Sequence, residues 1–527
     1  MPSRPKSSHQ MQDQSEVEAF LSFAGAYGLS TGVERIDTHA AMVFLAGGSA
    51  YKVKRAVKYP YLDFSSLARR HEACLHEVEL NRRTAPDLYL GVTAVRRDPL
   101  GQLYLDSIRR NGEAGPPSDR QSDAVVEWVV EMKRFDPDDT LDHLASRNAL
   151  TDGLLNDLAR TIAAFHERAE PRLSGYDSAA GFREIIRGND LAFEEYEGLF
   201  PRARSLEVTK RSLELLDGHV PLLARRQAAG RVRHCHGDLH LANIVKIDGH
   251  PVLFDAIEFD DRIAIIDVFY DLAFLLMDLW ERDRKREANF VFNRYLSVTG
   301  DDTPLPLNPL FLSIRAAIRA KVSAAQYRPR EAAHYFRSAE RFLRKTHPQC
   351  VVIGGLSGSG KTTLAKALAA FVGAAPGAVH LRSDVIRKEI FGAEETDRLP
   401  ASAYGRDVGV QVYETMMQRT RSVLEKGHSV IVDAVFAAEA ERRAIEAVAS
   451  ELGVEPQCFW LFAAKDVMIG RVVSRRHDAS DATPAVIEQQ MTYDLGSLTW
   501  RQVSSDLALE GLVGRVSEMI RREPGSE

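Results

Sequence analysis

Residues 350–372 read CVVIGGLSGSGKTTLAKALAAFV and decide the fold of the C-terminal part of the chain. An apolar strand-like run, a glycine-rich turn and an apolar helical pattern follow one another without a break. Residues 355–362 satisfy the spacing GxxxxGK[ST] in the strand-to-helix context that this motif requires. Its glycines let backbone N–H groups surround a phosphate at a helix N-terminus, where the helix dipole favours negative charge. The stretch therefore predicts a phosphate-binding loop.

The residues after this loop alternate strand-like and helical patterns. HSVIVDAVF (428–436) and PQCFWLFAA (456–464) have the continuous apolar character of buried strands, and helical patterns separate them. Such alternation is typical of a parallel sheet with crossover helices. An α/β domain is therefore expected here.

The motif also predicts nucleotide contacts. Lys361 is expected to reach the β- and γ-phosphates of ATP, and Thr362 to hold Mg²⁺. The remaining predicted nucleotide-contact residues are Gly355, Gly358, Gly360 and Thr363.

Further polar positions in this domain narrow the chemistry. Asp384 and Arg387 lie three apart on one helical face, where the carboxylate can take a proton from an acceptor hydroxyl and the arginine can hold that acceptor or a phosphate. A helix cap with a surface ion pair is the alternative. Asp433 ends an apolar strand. A carboxylate in this position can lie near the Mg²⁺ ion of a phosphate-loop enzyme, or it can simply cap the end of the strand. Arg475 and its neighbouring arginines precede a polar loop, which predicts either a phosphate-neutralising lid or a solvated surface.

Taken together, these residues resemble the small-molecule P-loop kinases of the gluconate kinase, polynucleotide kinase and zeta-toxin type. The resemblance covers about residues 350–522. It implies transfer of the ATP γ-phosphoryl group to a hydroxyl, with Mg²⁺ present and Asp384 as the base.

A second constellation precedes this domain. Residues 236–243 read HGDLHLAN, in which Asp238 and Asn243 are five apart, and Asp255 ends the short hairpin that follows. Phosphoryl transfer needs a carboxylate facing the acceptor hydroxyl, and an amide and a second carboxylate that share the metal. The spacing supplies all three. The alternative is a polar loop with capping Asp and Asn side chains.

This second pattern resembles the aminoglycoside phosphotransferase-like kinases, which share the protein-kinase fold, over about residues 33–344. The resemblance implies that Asp238 is the catalytic base and that Asn243 and Asp255 ligate Mg²⁺. It also implies a strand lysine that clamps the ATP phosphates. Lys52 is favoured for that position, and Lys54 remains open.

Other parts of the family pattern fall on the flanking segments. Glu77 is the favoured partner of the clamping lysine, with Glu72 as the alternative, and residues 131–133 are expected to meet the adenine. Asp271 matches a structural aspartate that braces the catalytic loop. The chain has only the turn Gly47–Gly48 in place of a GxGxxG loop, which argues against a protein kinase and is tolerated among small-molecule kinases.

A zinc site is a competing interpretation of the same region. His234, Cys235, His236 and His240 are close in sequence and are all possible zinc ligands. Alternate side chains of a strand point apart, however, and no second Cys/His cluster completes the set. A loop-bracing role for His236 and a place beside the site for His240 are favoured instead.

Charge and cysteine content limit the function classes. The chain has 527 residues with 68 Lys plus Arg and 74 Asp plus Glu, so its net charge is 68 − 74 = −6. This balance disfavours a general nucleic-acid or membrane-surface binder. The four cysteines are scattered, and the first residues, MPSRPKSSHQ, contain no apolar run, so a cytoplasmic protein is expected.

The sequence thus predicts an α+β bilobal protein-kinase-like (aminoglycoside phosphotransferase-like) domain followed by an α/β P-loop kinase domain with a parallel sheet. The predicted segments are a disordered tail (1–16), an N-lobe (17–133), a helical C-lobe (134–346) and the P-loop domain (347–527).

The predicted function is ATP-dependent phosphoryl transfer to small-molecule hydroxyl acceptors from two active sites. An aminoglycoside-type resistance kinase with an auxiliary or nucleotide-sensing P-loop domain is one alternative. A non-catalytic scaffold is another, and it would need none of the metal- and phosphate-binding residues.

Overall fold

The computed structural model of the chain describes residues 13–30, 32–38, 40–59, 62–106, 123–474 and 479–521. Internal packing divides the chain into two compact units. The first joins Met1–Gly181 with Leu222–Leu275, and the second joins Phe182–Pro221 with Leu276–Glu527. Residues 276–346 therefore pack in the same unit as the P-loop part, and the proposed boundary at residue 346 stays a prediction.

An antiparallel sheet and one helix form the first part of the chain. The elements are α1 (Ser15–Leu21), β1 (Glu34–Asp37), β2 (Ala41–Ala46), β3 (Ser49–Lys54), β4 (Lys58–Tyr59), β5 (Leu62–Asp63), α2 (Leu67–Asn81), β6 (Tyr89–Arg97), β7 (Leu103–Leu105) and β8 (Ala124–Lys133). Six of the strands pair in the order β1-β2-β3-β8-β6-β7. The hairpin predicted around Gly47–Gly48 is β2–β3, and α2 packs on the sheet through Cys74 and Val78.

The start of α1 differs from the prediction of a disordered tail through residue 16. Helix α1 begins at Ser15, and Gln14 before it is buried. The Gln14 amide donates hydrogen bonds to the carbonyl of Lys54 at 2.9 Å and to Glu127 at 2.7 Å. Buried hydrogen bonds therefore order residues whose polar composition indicated disorder. Residues 1–12 of the predicted tail lie outside the described residues.

A mainly helical segment follows. Its elements are α3 (Leu141–Ser146), α4 (Asp152–Arg168), α5 (Ser178–Glu195), α6 (Arg202–Ala228), β9 (Val232–His234), β10 (Ile244–Ile247), β11 (His250–Leu253), α7 (Asp261–Ala264), β12 (Ile265–Asp267), α8 (Val268–Glu281), α9 (Lys285–Thr299), α10 (Asn308–Ala325) and α11 (Pro329–Phe342). The short hairpin predicted before Asp255 is β10–β11, and it turns at Asp248–Gly249. Among the described residues, none of the helices combines the length and apolar character needed to cross a membrane.

The last part of the chain is a three-layer α/β domain. Its elements are β13 (Cys350–Gly354), α12 (Lys361–Ala369), β14 (Val379–Arg382), α13 (Ser383–Ile390), α14 (Arg406–Glu425), β15 (Val430–Asp433), α15 (Glu439–Glu451), β16 (Pro456–Phe462), α16 (Lys465–Ser474), α17 (Pro484–Gln490), β17 (Arg501–Ser504) and α18 (Leu509–Arg521). The strands pair in parallel in the order β14-β15-β13-β16-β17, so the predicted parallel sheet is confirmed.

The register of this sheet places the functional residues. Ile353 at the end of β13 is opposite Asp433 at the end of β15, so the phosphate loop and this carboxylate share one edge of the sheet. Apolar side chains such as Val351, Leu364 and Phe459 form the core between the sheet and its helices. Parallel strands covered on both faces bury almost every residue, which explains the continuous apolar runs of the sequence.

Candidate active sites

In the first unit, two lysines of β3 meet one buried carboxylate. Lys52 and Lys54 are two residues apart and therefore lie on the same face of the strand. Lys52 Nζ lies 2.8 Å from Glu77 Oε1, and Lys54 Nζ lies 2.5 Å from Glu77 Oε2. Glu77 is fully buried on α2, whereas Glu72 is exposed. Glu77 is thus the carboxylate that meets the strand lysines.

The two lysines differ in their second partner. Lys52 Nζ lies 2.5 Å from Asp255 Oδ1, whereas Lys54 forms an ion pair with Glu258. The Lys54 side chain is 2% exposed and that of Lys52 is 14% exposed. Lys52 therefore joins the buried glutamate to the predicted metal ligand, which favours it as the phosphate-clamping lysine.

The charges of this cluster support one another. Burial alone would raise the pKa of the Glu77 carboxyl, but the ammonium groups of Lys52 and Lys54 hold it well below its usual value. Burial likewise opposes the charge of Lys52, and the carboxylates of Asp255 and Glu77 raise its pKa instead. Glu77 therefore stays ionised between two cations. Glu258 differs from Glu77, because burial dominates there and raises the pKa of its carboxyl.

The loop between β9 and β10 brings Asp238 and Asn243 together. Asn243 Nδ2 donates hydrogen bonds to Asp238 Oδ2 at 2.9 Å and to the Asp238 carbonyl at 3.0 Å. The Asp238 carboxylate is 37% exposed, and His240 Nε2 lies 3.4 Å from it. The carboxylate is therefore held in place and remains open to a substrate.

Asp255 supplies the second carboxylate of this site. Its side chain is 42% exposed and its backbone has a φ of 62°. The backbone N–H of Asp255 donates to the Tyr89 hydroxyl at 3.1 Å. Phe254, the residue before Asp255, donates its backbone N–H to the Asn243 carbonyl at 3.0 Å, so the two residues belong to neighbouring backbone segments. Carboxylate and amide oxygens are ligands that Mg²⁺ prefers. The residues present therefore fit a magnesium ion held by Asn243 and Asp255.

Asp271 holds the backbone of the same loop. Its two carboxylate oxygens accept hydrogen bonds from the N–H of His236 at 3.1 Å and of Gly237 at 2.9 Å. His166 Nε2 lies 3.2 Å from one of these oxygens. Asp271 is fully buried, so its contacts fix the loop backbone and leave it no access to a substrate.

Asp271→Ala is expected to lower the free energy of unfolding by about 3 kcal/mol, because two buried backbone donors lose their acceptor. Urea unfolding followed by circular dichroism measures this change. Asp87→Ala is the matched control, since Asp87 is exposed. Equal effects of the two substitutions would contradict the bracing role.

Three of the four residues of the zinc alternative, Cys235, His236 and His240, contact other groups. His236 Nε2 lies 2.9 Å from the Phe254 carbonyl, and the Cys235 thiol lies 3.5 Å from the Ile266 carbonyl. His240 lies beside Asp238 and packs edge-on against Phe274. These contacts agree with the loop-bracing interpretation of His236.

In the second unit, the phosphate loop connects β13 to α12 through glycines that other residues cannot replace. Gly355 has a φ of 140°, and a Cβ atom there would lie 2.3 Å from the Leu461 carbonyl oxygen. Gly358 has a φ of 81°, and its Cβ would meet the Met468 carbonyl oxygen at 2.6 Å. The close packing of neighbouring backbone thus explains both positions.

Gly355→Ala is expected to destabilise the protein by about 3 kcal/mol through backbone strain and overlap with a carbonyl oxygen. Gly409→Ala is the control, because this glycine lies within α14 with open space around it. There, alanine is expected to stabilise the helix by about 0.5–1 kcal/mol. Thermal unfolding of both variants tests the contrast, and a neutral Gly355→Ala would contradict the geometry.

A cavity of about 290 Å³ lies next to the phosphate loop. The predicted site residues that line it are Gly358, Lys361, Thr362, Asp384, Arg387 and Asp433. Lys361 is buried, and its Nζ donates a hydrogen bond to the Leu356 carbonyl at 3.0 Å. The cavity therefore joins the phosphate-binding side chains to the predicted base and arginine.

Asp433 has the environment of a metal ligand. It is 3% exposed, and its Oδ2 has no hydrogen-bond partner within the described parts of the chain. Burial would raise its pKa, but His380, 3.4 Å away, and the charges of Lys361 and Arg382 lower it to about 2. An ionised, buried carboxylate in the same cavity as the Thr362 hydroxyl fits a magnesium ion.

Asp384 and Arg387 face the same cavity from α13. Burial raises the pKa of the Asp384 carboxyl above its ordinary value, against the opposing charge of Arg382. A raised pKa suits a group that must take up a proton from a hydroxyl. Arg387 donates to the Ala403 carbonyl at 2.7 Å, and its guanidinium lies 5.1 Å from the centre of the Tyr404 ring.

Gly355, Gly360 and Thr363 do not line this cavity. Thr363 is exposed, because it lies about 100° further around α12 than Thr362. Its assignment as a nucleotide contact stays a prediction. Arg475 lies outside the described residues. The nearby Arg471 donates to the Ser505 carbonyl at 2.7 Å.

Several residues in and beside this cavity were not predicted. Arg382 on the strand before Asp384 lines it, as do Tyr404 and Asp481 from later segments. His380 lies on the same strand and contacts Asp433 without lining the cavity. His380 and Arg382 alternate with apolar neighbours in the sequence, which places both on one face of a buried strand. Buried polar side chains need hydrogen-bond or ion-pair partners, so this alternation could have indicated a polar site beside the strand. Tyr404 and Asp481 carry no such local signal.

Comparisons with known proteins match two separate segments of the chain. A family model described as Phosphotransferase enzyme family matches residues 116–307, and one described as AAA domain matches residues 350–493. The uncharacterized protein Rv2004c of Mycobacterium tuberculosis is 30% identical over 478 residues, which cover 87% of this chain and 90% of that protein. The predicted fold class and the predicted family resemblance are confirmed.

Solved structures are also similar to parts of the chain. The GDP complex of aminoglycoside 2'-phosphotransferase-IIIa is 13% identical, with a TM-score of 0.38, and covers 63% of this chain and 99% of its own. A gluconokinase from Sinorhizobium meliloti 1021 is 19% identical, with a TM-score of 0.24, and covers 33% of this chain and 91% of its own.

Proposed function

This chain belongs to the same family as the mycobacterial protein, with two kinase-like domains in one polypeptide, and on that premise we propose that each domain is an active small-molecule phosphotransferase. Each site would transfer the γ-phosphoryl group of ATP to a hydroxyl. The observation that supports the proposal is the contact of Lys52 with Asp255 in the first unit, beside the Asp238–Asn243 pair of the predicted catalytic loop, and the shared cavity of Lys361, Asp384 and Asp433 in the second.

In the first site, Asp238 is proposed to accept the proton of the acceptor hydroxyl. Asn243 holds its carboxylate at 2.9 Å, and the 37% exposure of the side chain leaves room for an acceptor. Lys52, fixed by Glu77, would bind the ATP phosphates. Asn243 and Asp255 would hold Mg²⁺, whose chemistry is to neutralise charge that develops on the phosphoryl oxygens.

In the second site, Asp384 is proposed as the base. Arg387 would hold the acceptor or its phosphate, and Lys361 would bind the β- and γ-phosphates of ATP. Thr362 and Asp433 would hold Mg²⁺ there. Arg475 is proposed to belong to a lid that neutralises phosphate charge, as the sequence pattern indicates.

The experiment is a screen for phosphoryl acceptors. Purified full-length protein, Mg²⁺ and γ-labelled ATP are mixed with pools of sugars, nucleosides, polyamines and aminoglycosides. Lys361→Ala, run in parallel, assigns each labelled product to one of the two sites. We expect at least one product that this variant loses and one that it keeps.

The outcomes separate the proposal from its alternative. Label on aminoglycosides alone, unaffected by Lys361→Ala, would favour a resistance kinase with an auxiliary or nucleotide-sensing P-loop domain. The absence of transfer to every pool, with ATP binding intact, would contradict both catalytic proposals.

A further inference from the structure

The phosphate-loop domain has an edge strand whose outer side is covered by asparagine side chains. Strand β14 is at the end of the order β14-β15-β13-β16-β17 and pairs only with β15 in this sheet. The outward N–H and C=O groups of such a strand need other hydrogen-bond partners. In this protein the partners come from helix α9.

Asn293 of α9 takes the place of a neighbouring strand. Its Oδ1 accepts a hydrogen bond from the backbone N–H of His380 at 2.7 Å, and its Nδ2 donates to the Ala378 carbonyl at 3.1 Å. Asn289, one turn earlier, donates to the same carbonyl at 3.0 Å. An asparagine amide carries the donor and the acceptor of a peptide group, so α9 completes the hydrogen bonding of β14.

Helix α9 also reaches the cavity through charged side chains. Arg294 Nη1 lies 3.2 Å from Glu395 Oε2, and Arg382 Nη1 lies 2.7 Å from Glu395 Oε1. Arg382 lines the cavity, and its Nε lies 4.0 Å from Asp433 Oδ2. Glu395 thus connects the arginine of the helix to the arginine of the cavity.

These two sets of contacts converge on Asp433. His380, whose backbone α9 holds, has its imidazole 3.4 Å from Asp433 Oδ2. Arg382 is two residues further along β14, so both side chains lie on the same face of the strand. Asn293 and Arg294 therefore act on the two side chains that flank the candidate metal carboxylate.

We propose that α9 is a working part of the phosphate-loop site and that Asn293 and Arg294 are positioning residues, which set His380 and Arg382 around Asp433. Residues 285–299 lie within the segment that matches the Phosphotransferase enzyme family. A helix that the sequence assigns to the first enzyme thus orders the active site of the second. This inference rests on the proposed function of the phosphate-loop site.

The test measures metal binding as well as turnover in the full-length protein. Mn²⁺ binding is followed by electron paramagnetic resonance with a non-hydrolysable ATP analogue, and the share that Lys361→Ala removes defines the phosphate-loop site. Asn293→Ala and Arg294→Gln are expected to lower the Mn²⁺ affinity of this site about tenfold, because loss of a group that orients metal ligands weakens metal binding on that scale. Arg286→Gln, at an exposed position of the same helix, is expected to leave it unchanged.

A conservative variant separates positioning from plain stability. Arg294→Lys keeps a cation beside Glu395. Because the orienting contact is kept, its Mn²⁺ affinity is expected to stay within about twofold of that of the unsubstituted chain. The inference is overturned if Asn293→Ala and Arg294→Gln bind Mn²⁺ like Arg286→Gln. It is also overturned if their losses only follow lowered thermal midpoints and Arg294→Lys restores nothing.

Failure of the proposed function has a different signature. In that case the Lys361-dependent share of Mn²⁺ and nucleotide binding is present, but no acceptor is phosphorylated. The binding comparison among the α9 variants then still decides the role of the helix.

Discussion

Asp238→Asn is expected to lower phosphoryl transfer by the first site at least a hundredfold, since general-base catalysis contributes about 10²–10⁴-fold. Asparagine keeps the shape of the side chain and cannot take up the hydroxyl proton. ATP binding is expected to stay nearly intact, because the ion pairs of Lys52 with Glu77 and Asp255 are untouched. Label transfer to each acceptor and binding of an ATP analogue measure the two quantities separately.

The same substitution in the second site provides an internal comparison. Asp384→Asn is expected to lower only the transfer that depends on Lys361, again by about 10²-fold or more. Because the pKa of Asp384 is raised by burial, this transfer should increase as the pH rises through that pKa and the carboxylate ionises. The pH profile of the Lys361-dependent product, measured with an acceptor from the screen, tests this dependence.

Two isosteric substitutions at exposed aspartates serve as controls. Asp248→Asn lies in the β10–β11 turn, where a φ of 51° suits asparagine, and Asp466→Asn lies at the start of α16. Both are expected to leave transfer unchanged.

An Asp384→Asn variant with full Lys361-dependent transfer would exclude Asp384 as the base. Loss of ATP binding in Asp238→Asn would show that this residue has a structural role instead.

The sequence predicted the features that depend on local spacing. The phosphate loop, the β2–β3 hairpin and the loop of Asp238 and Asn243 each lie within a few consecutive residues, so motif and turn chemistry define them. Local spacing does not distinguish Thr362 from Thr363, although neighbouring helix positions face different directions and Thr362, not Thr363, lines the cavity.

Long-range pairing accounts for what the sequence left open. Lys52 and Lys54 share a strand face, and the choice between them depends on Asp255, which is 203 positions from Lys52. The contact of Asn293 with His380 likewise joins residues 87 positions apart. Such contacts depend on how whole elements pack, and no period or motif in a single sequence encodes them.

Substitution of the two strand lysines should give opposite results. Lys52→Met is expected to lower kcat/KM for ATP in the first site about a hundredfold, the scale for loss of one charge-stabilising group. Its cost in stability is expected to be small, because Glu77 keeps the ion pair with Lys54. Initial rates over a range of ATP concentrations measure the first quantity, and urea unfolding measures the second.

Lys54→Met is expected instead to lower the free energy of unfolding by about 3–5 kcal/mol, because Glu258 loses the cation that compensates its buried charge. Removing that charge as well, in Lys54→Met with Glu258→Gln, is expected to recover most of the loss. A large kcat/KM effect in Lys54→Met, with Lys52→Met nearly normal, would assign the phosphate clamp to Lys54. The geometry favours Lys52, because its ammonium, unlike that of Lys54, bridges Glu77 to the exposed carboxylate of Asp255, where a nucleotide and its metal would enter.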